Sequence, residues 1–388
     1  TERCRDHYFC ERCPERCHVT NGFDVIIANP PYGADLKDTL EKLEATYQYY
    51  DRQKNSASFF IELASRLVKN NGVVTYIVPK SLSFSEGWQK VRKLIADLYR
   101  LLTLVDVSKT FDAVLLEQII ISFIKSKSDS YEFNTGEGWN SKINSIGTIS
   151  NSLIKEHDTL PVYIDKAKLR ILDKISKQSI LLSEISYTFR GLPLQSCISE
   201  KGLPILRGRN IGKYKIYGKI DKISLPQELM NSKKIKDILL PKIISQNIVA
   251  HVLNPYDRII IMATLDKEPF LTLDTVMNTV ITNDKFATEY VISILNSKLA
   301  SWFYYWFIYN RSIRTMHFDK YYIGKLPIKN VHLSYQKPFI NLVDQIFAIK
   351  QKDPQADTSA LERQIDVMVY KLYGLTYEEV KIVDPEFA

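Results

Sequence analysis

Residues 23–33, Phe-Asp-Val-Ile-Ile-Ala-Asn-Pro-Pro-Tyr-Gly, constrain this chain more than any other stretch of similar length. The apolar run Val25-Ile26-Ile27-Ala28 reads as a buried strand, and it stops abruptly at two prolines. A strand of an α/β sheet delivers its chemistry at its carboxyl end. This one delivers an amide, two rigid rings and an aromatic. Asn29 can accept a hydrogen bond through its carboxamide oxygen. Pro30 carries no N–H, so its carbonyl can face a substrate with no competing donor beside it. Tyr32 offers a ring for stacking a planar group. The set suits holding an amine against an electrophile; the bland alternative is a strand followed by a proline-rich turn.

Alternating patterns extend this strand into a domain. Ser56 to Lys69 has helical apolar spacing (Phe59, Phe60, Leu63, Ala64, Leu67, Val68), with Asn71-Gly72 as a stop signal. Strands are expected at Val73–Val78, Leu101–Val107 and Gln118–Lys125, and a helix from Trp88 to Tyr99. Strand–helix alternation predicts a mostly parallel sheet with right-handed crossovers. Beyond it, residues 131–165 dissolve into Ser, Asn, Thr and Gly and read as a linker. A helix over Lys166–Lys177 and a β-rich region follow. The closing segment, 329–388, is helical, with Ile365, Val369, Leu372 and Leu375 on one face.

Length and charge narrow the class. A chain of 388 residues, 45% of them hydrophobic, can bury two or three cores. No apolar run reaches the roughly eighteen residues of a membrane span, and the start lacks a signal peptide's apolar stretch. A soluble cytoplasmic protein is expected, with no membrane partner. Between Lys166 and Lys242 there are 17 Lys and Arg against 6 Asp and Glu, an excess above the +8 of the whole chain. That basic segment, with Tyr, Phe and Gly interleaved, suits a polyanion, or else is a solvated lysine-rich surface.

Four of the five cysteines, Cys4, Cys10, Cys13 and Cys17, crowd residues 1–22. They are candidate zinc ligands, but only Cys10 and Cys13 have the C-x2-C spacing. The expected reading of residues 1–22 is therefore a Cys/Arg-rich leader without a metal.

The Asn29-Pro30-Pro31-Tyr32 segment resembles the catalytic motif of S-adenosylmethionine-dependent amino methyltransferases. Val73–Pro79 fits the strand after that motif. Lys109-Thr110-Phe111-Asp112-Ala113 looks like the segment whose aromatic stacks on an extruded base, which implies Phe111 opposite Tyr32. Arg190-Gly191 and Arg207-Gly208-Arg209-Asn210 sit in a region similar to the target-recognition domain of TaqI-like type II and IIG restriction–modification enzymes. Leu295–Phe303 and Leu326–Ile328 match the same family. The resemblance covers about residues 21–388 and implies γ-class adenine-N6 methylation of double-stranded DNA.

The implied fold is a partial, Rossmann-like α/β methyltransferase sheet over residues 23–130. A mixed α+β target-recognition domain over 166–328 and C-terminal helices follow it. Arg190, Arg207, Arg209, Lys213, Lys215, Arg311 and Arg314 become candidate DNA contacts. The family's Gly-x-Gly cofactor loop lies upstream of its catalytic motif and is absent from this chain, which leaves the first strand an open edge. Activity would then need a half or subunit from elsewhere. Two competing readings are a glutamine-amide or ribosomal-RNA methyltransferase and a non-catalytic, sequence-reading DNA-binding fragment. The run Trp302–Phe307 is read as a helix packed in a core rather than a platform for bases. Glu379-x-Lys381, although it has a nuclease-like spacing, lacks a further carboxylate on a neighbouring strand and is set aside.

Overall fold

The computed structural model describes residues 22–32, 36, 38–50, 55–108, 116–139, 142–225 and 227–387. Phe111, the four amino-terminal cysteines and Gly33 lie outside the described residues. The chain divides into two compact units, Thr1–Asp165 and Lys166–Ala388.

The first unit is a six-stranded sheet. Its strands are β1 (Phe23–Ala28), β2 (Val68–Pro79), β3 (Arg100–Asp106), β4 (Gln118–Ile124), β5 (Glu132–Trp139) and β6 (Lys142–Ser150), in the order β1-β2-β4-β3-β5-β6. The expected mostly parallel sheet is corrected to a mixed one. Only β1/β2 and β3/β5 run parallel, and β4 lies antiparallel to both its neighbours. The reason lies in chain length: eleven residues separate the end of β3 at Asp106 from the start of β4 at Gln118, fewer than the dozen or more that a parallel crossover needs.

The expected linker is also corrected. Residues 132–139 and 142–150 form β5 and β6, which pair over eight positions and continue the sheet. Phe133 and Ile149 supply buried apolar contacts, enough to hold an otherwise polar hairpin. Asn71-Gly72 does not end the preceding helix either. The helix stops at Leu67 and β2 begins at Val68. Asn71 adopts φ 63°, a left-handed conformation that asparagine tolerates. The register with β1 shifts there between Phe23 and Val25.

β1 is not buried as its composition suggests. Among the described residues it pairs only with β2, and Val25 and Ile27 are 55% and 77% exposed. Among the described residues it is an edge strand.

Among its described residues the second unit builds four two-stranded ribbons and two four-stranded sheets. One orders Ala263–Asp266, Lys242–Gln246, Val276–Ile281 and Ser186–Arg190, all antiparallel. The other orders Leu271–Thr272, Leu203–Leu206, Asp221–Ile223 and Ile198–Ser199. Helices Thr288–Leu295 and Lys298–Trp302 lead into a π-helical turn, Phe303–Ile308. Trp302, Phe303, Tyr304, Tyr305 and Phe307 are buried there, so the aromatic run is core. Burial raises the Tyr304 and Tyr309 phenols, which donate to the carbonyls of Ile323 and His317. Helices Leu333–Lys352, Ser359–Leu372 and Tyr377–Val383 close the unit. Glu379 works in the capping box of the last helix and pairs with Lys174 at 2.6 Å. No helix of the described residues is long and apolar enough to cross a membrane.

Candidate functional site

The carboxyl edge of the first sheet gathers four strand termini. The end of β1 carries Asn29 to Tyr32, that of β2 leads into Lys80, β3 ends at Asp106, and β4 starts at Gln118. Asn29 and Pro31 are exposed, Pro30 is buried and Tyr32 half-buried. Ser56 Oγ donates to the Pro31 carbonyl and ties the turn to the following helix.

Tyr32 folds back on its own motif. Its hydroxyl lies 2.8 Å from Asn29 Oδ1 and 3.0 Å from the Ile77 carbonyl, so one proton is shared between two acceptors. Gln118 Nε2 donates to the same hydroxyl at 3.3 Å. Burial raises the phenol's pKa and keeps it neutral. One lone pair of the Asn29 oxygen is thus engaged and a second remains for an incoming N–H donor.

Behind the motif lies a charge cluster that sequence reasoning missed. Lys80, 3% exposed, pairs with Asp106 at 2.7 Å and Glu117 at 2.9 Å. Tyr163 donates to Asp106 at 2.9 Å. Burial pushes the Asp106 carboxyl up, but the Lys80 ammonium and the Ser108 hydrogen bonds outweigh it, and the net pKa falls below the ordinary 3.8. Lys80 therefore clamps the residue ending β3 to the residue preceding β4. The only sequence signal was a lysine and an acid at the ends of apolar strands, and nothing linear joins positions 80, 106 and 117.

In the second unit the candidate DNA contacts separate into two groups. Arg190, Arg209 and Arg314 are exposed. Arg207 and Arg209 share one carboxylate, Asp221, at 2.6 and 2.8 Å, so one positive charge is left over. Arg190 Nε also donates to the Asp274 carbonyl, and the half-buried residues of the second group are engaged within the fold. Lys213 pairs with Glu362 at 2.9 Å, Lys215 donates to the Pro354 carbonyl at 2.8 Å, and Arg311 lies 5.0 Å over Trp306. Among the described residues no cluster of His, Cys, Asp and Glu is suited to a metal ion.

Two segments define the class. Residues 6–112 match the Eco57I restriction-modification methylase family, and residues 203–328 match the TaqI-like C-terminal specificity domain. The chain carries a restriction–modification methylase segment followed by a TaqI-like specificity domain. The first match starts at residue 6, inside the stretch that looked unlike the family.

A Methanocaldococcus jannaschii protein named as a type II restriction enzyme and methyltransferase is 25% identical over 386 residues, covering 91% of this chain. This chain spans 31% of that relative's length. The fold resembles that of the type IIL restriction–modification enzyme MmeI, solved in complex with DNA. There the TM-score is 0.53 and the identity 11%, over 92% of this chain and 56% of that one. The type IIG restriction endonuclease BpuSI aligns over 90% of this chain and 54% of its own, at 11% identity and TM-score 0.32.

Proposed function

We propose that this chain holds and reads the DNA substrate of a site-specific adenine-N6 methyltransferase in a restriction–modification or phage-defence system. The observation that carries this reading is the Asn29–Tyr32 turn at the carboxyl end of β1, in the same chain as a DNA-specificity segment.

Adenine N6 is a poor nucleophile because its lone pair is delocalised into the ring. Asn29 Oδ1 and the Pro30 carbonyl accept its two hydrogens and favour the pyramidal, nucleophilic amine. Preorganised dipoles of this kind contribute about 3–4 kcal/mol each in analogous sites. The base leaves the duplex to reach the turn. Tyr32, with Phe111, then stacks on it, at about 1–3 kcal/mol per base. Entry of the amine displaces the Tyr32 hydroxyl from Asn29 or uses the oxygen's other lone pair. Exposed Arg190, Arg209 and Arg314 grip phosphate or guanine, and Arg207, Lys213, Lys215 and Arg311 support them.

S-adenosylmethionine supplies the electrophilic methyl group in this reading. Among the described residues of the first unit, no strand-to-helix turn carries Gly-x-Gly spacing, and Gly136-Glu137-Gly138 lies within β5. These residues do not fit a cradle for the donor. The exposed face of β1 favours a second reading, in which this chain reads DNA sequence and a covering segment or subunit brings the donor site.

The test is transfer of a labelled methyl group to unmethylated DNA, by this chain alone and with a separate donor-binding subunit added, with Asn29→Ala as control. Asn29→Ala is expected to lower transfer by at least about a hundredfold while duplex affinity stays nearly unchanged. Equal losses of transfer and affinity would sink the catalytic assignment.

A further inference from the structure

In the second unit the Asp274-Thr275 turn ties together residues that lie far apart in the chain. The Asp274 carbonyl accepts from Arg190 Nε and, at 3.2 Å, from Asn247 Nδ2. The Asp274 carboxylate accepts from Gln195 Nε2 at 2.6 Å, and Thr275 Oγ1 accepts from the Gly208 N–H at 3.0 Å. One turn thus holds Arg190 near the Arg207-Gly208 segment. Arg190 also ends a strand whose exit is fixed. The Gly191 N–H donates to the Val276 carbonyl at 3.0 Å, and the Leu192 N–H to the Thr272 carbonyl at 2.8 Å. A Cβ at Gly191 would run into the carbonyl oxygens of Leu273 and Thr272, so only glycine lets the strand end come this close to the turn.

How a guanidinium is held determines what it can grip. Arg190 is exposed, and it is bound through Nε to a neutral carbonyl. Its two terminal nitrogens are left as a pre-oriented fork, which matches the O6 and N7 acceptors of guanine in the major groove. The carboxylate of Asp274 sits on the very residue that holds Arg190. It opposes a phosphate there by like charge and leaves a neutral base edge unopposed. The cations nearby are built for the other task. Arg209 commits a terminal nitrogen to Asp221, which breaks its fork, and Lys234, donating to the Gly191 carbonyl at 3.0 Å, is a point charge. Both suit phosphate.

We infer that Arg190 is a specificity-determining residue that reads one guanine of the recognition sequence through its two terminal nitrogens. The Asp274 carbonyl sets its orientation, and Asn247 and Gln195 brace the turn. This role rests on the proposed reading of duplex DNA by this chain and not on methyl transfer.

The test is selection of duplexes from a randomised library by the full chain, without a methyl donor. Sequencing follows, with titration of the selected duplex against its single-base variants. The native chain should enrich a sequence with a fixed G·C pair. Arg190→Ala and Arg190→Lys should both lose the preference at that one pair, by about ten- to a hundredfold, and keep the others. Arg190→Lys is the sharper variant, because it retains the charge but not the fork. A uniform loss across all sequences in Arg190→Ala, restored by Arg190→Lys, would mark a phosphate contact and overturn the assignment. Unchanged selection in both variants, a lost preference at a pair other than G·C, or no selection by the native chain would overturn it too. Thermal unfolding of both variants should match that of the native chain; a large fall would make Arg190 a brace for the turn and refute base reading. Labelled methyl transfer is read separately. Guanine selection without transfer would sink the methyl-transfer reading alone, and transfer without guanine selection would sink the role of Arg190 alone.

Discussion

Each unit buries one lysine against a carboxylate, and the two pairs are built differently. Lys80 sits between two acids, Asp106 and Glu117, with Tyr163 donating to Asp106. Lys242 and Asp266 are both fully buried, and the pair has no second acid; Lys242 also donates to the Ile238 carbonyl. The directions of titration differ accordingly. Asp106 is held below its ordinary value despite its burial, whereas burial raises Asp266 and lowers Lys242. In the first unit partners win over desolvation, and in the second desolvation wins over the partner. The first pair clamps loop stems beside the proposed catalytic turn; the second anchors neighbouring strands of an interior sheet.

The largest expected effect separates them directly. Lys80→Met leaves two carboxylates without their counter-charge and should cost about 3–5 kcal/mol. Lys242→Met should cost less, because Asp266 is already biased towards its neutral form. The double change Lys242→Met with Asp266→Leu should be near neutral or stabilising. Segment-resolved hydrogen exchange checks this, since each loss should stay within its own unit. Equal costs for the two single variants would break the comparison.

Acid sharpens it. A carboxylate lowered in the fold adds stability that is complete above its ordinary pKa, 3.8, and is lost as pH falls through the folded value. Asp106 follows that rule, so the first unit should weaken below about pH 4. Asp266 is raised, so its contribution is present below 3.8 and lost as pH rises through its folded value. Urea titrations at neutral and acid pH, read by exchange in each unit, should therefore move the two units apart. A parallel shift of both would contradict the assigned directions.

The same contrast explains what could be read from the sequence. Strands were legible wherever β-branched runs were bounded by turn residues, as at Phe23–Ala28 and Gln118–Ile124, but their order and direction in the sheet were not. Coverage was not legible from composition: Val276–Ile281 and β1 are both rich in apolar residues, but one lies between two strands and the other at an edge, and only the family resemblance implied that β1 is open. The polar composition of β5 and β6 concealed a hairpin because its stability rests on pairing to β3, a contact between distant positions. The proposed catalytic turn was visible as a contiguous word. The Lys80 clamp, assembled from three separate stretches, was not.

Smaller effects test the cations. Arg209 is exposed and shares its acid with Arg207, whereas Lys213 has Glu362 to itself. Arg209→Ala should weaken duplex binding and reduce the slope of log affinity against log salt by about one. Lys213→Ala should change the slope less, because its charge is already compensated within the fold. Salt titrations of both variants decide between them, and a larger change for Lys213 would reverse the grouping.

The smallest effect concerns the edge itself. Ile27, 77% exposed on β1, contributes little to the folded unit, so Ile27→Lys should change stability by no more than about 0.5 kcal/mol. A charge on an open edge does block strand addition. If β1 accepts a covering strand, Ile27→Lys should abolish concentration-dependent self-association and any rescue of transfer by an added covering segment, with unfolding unchanged. Light scattering across a dilution series reads the first of these. A destabilisation of several kcal/mol would instead mean that the Ile27 side chain is packed within the folded chain, and that the edge is closed.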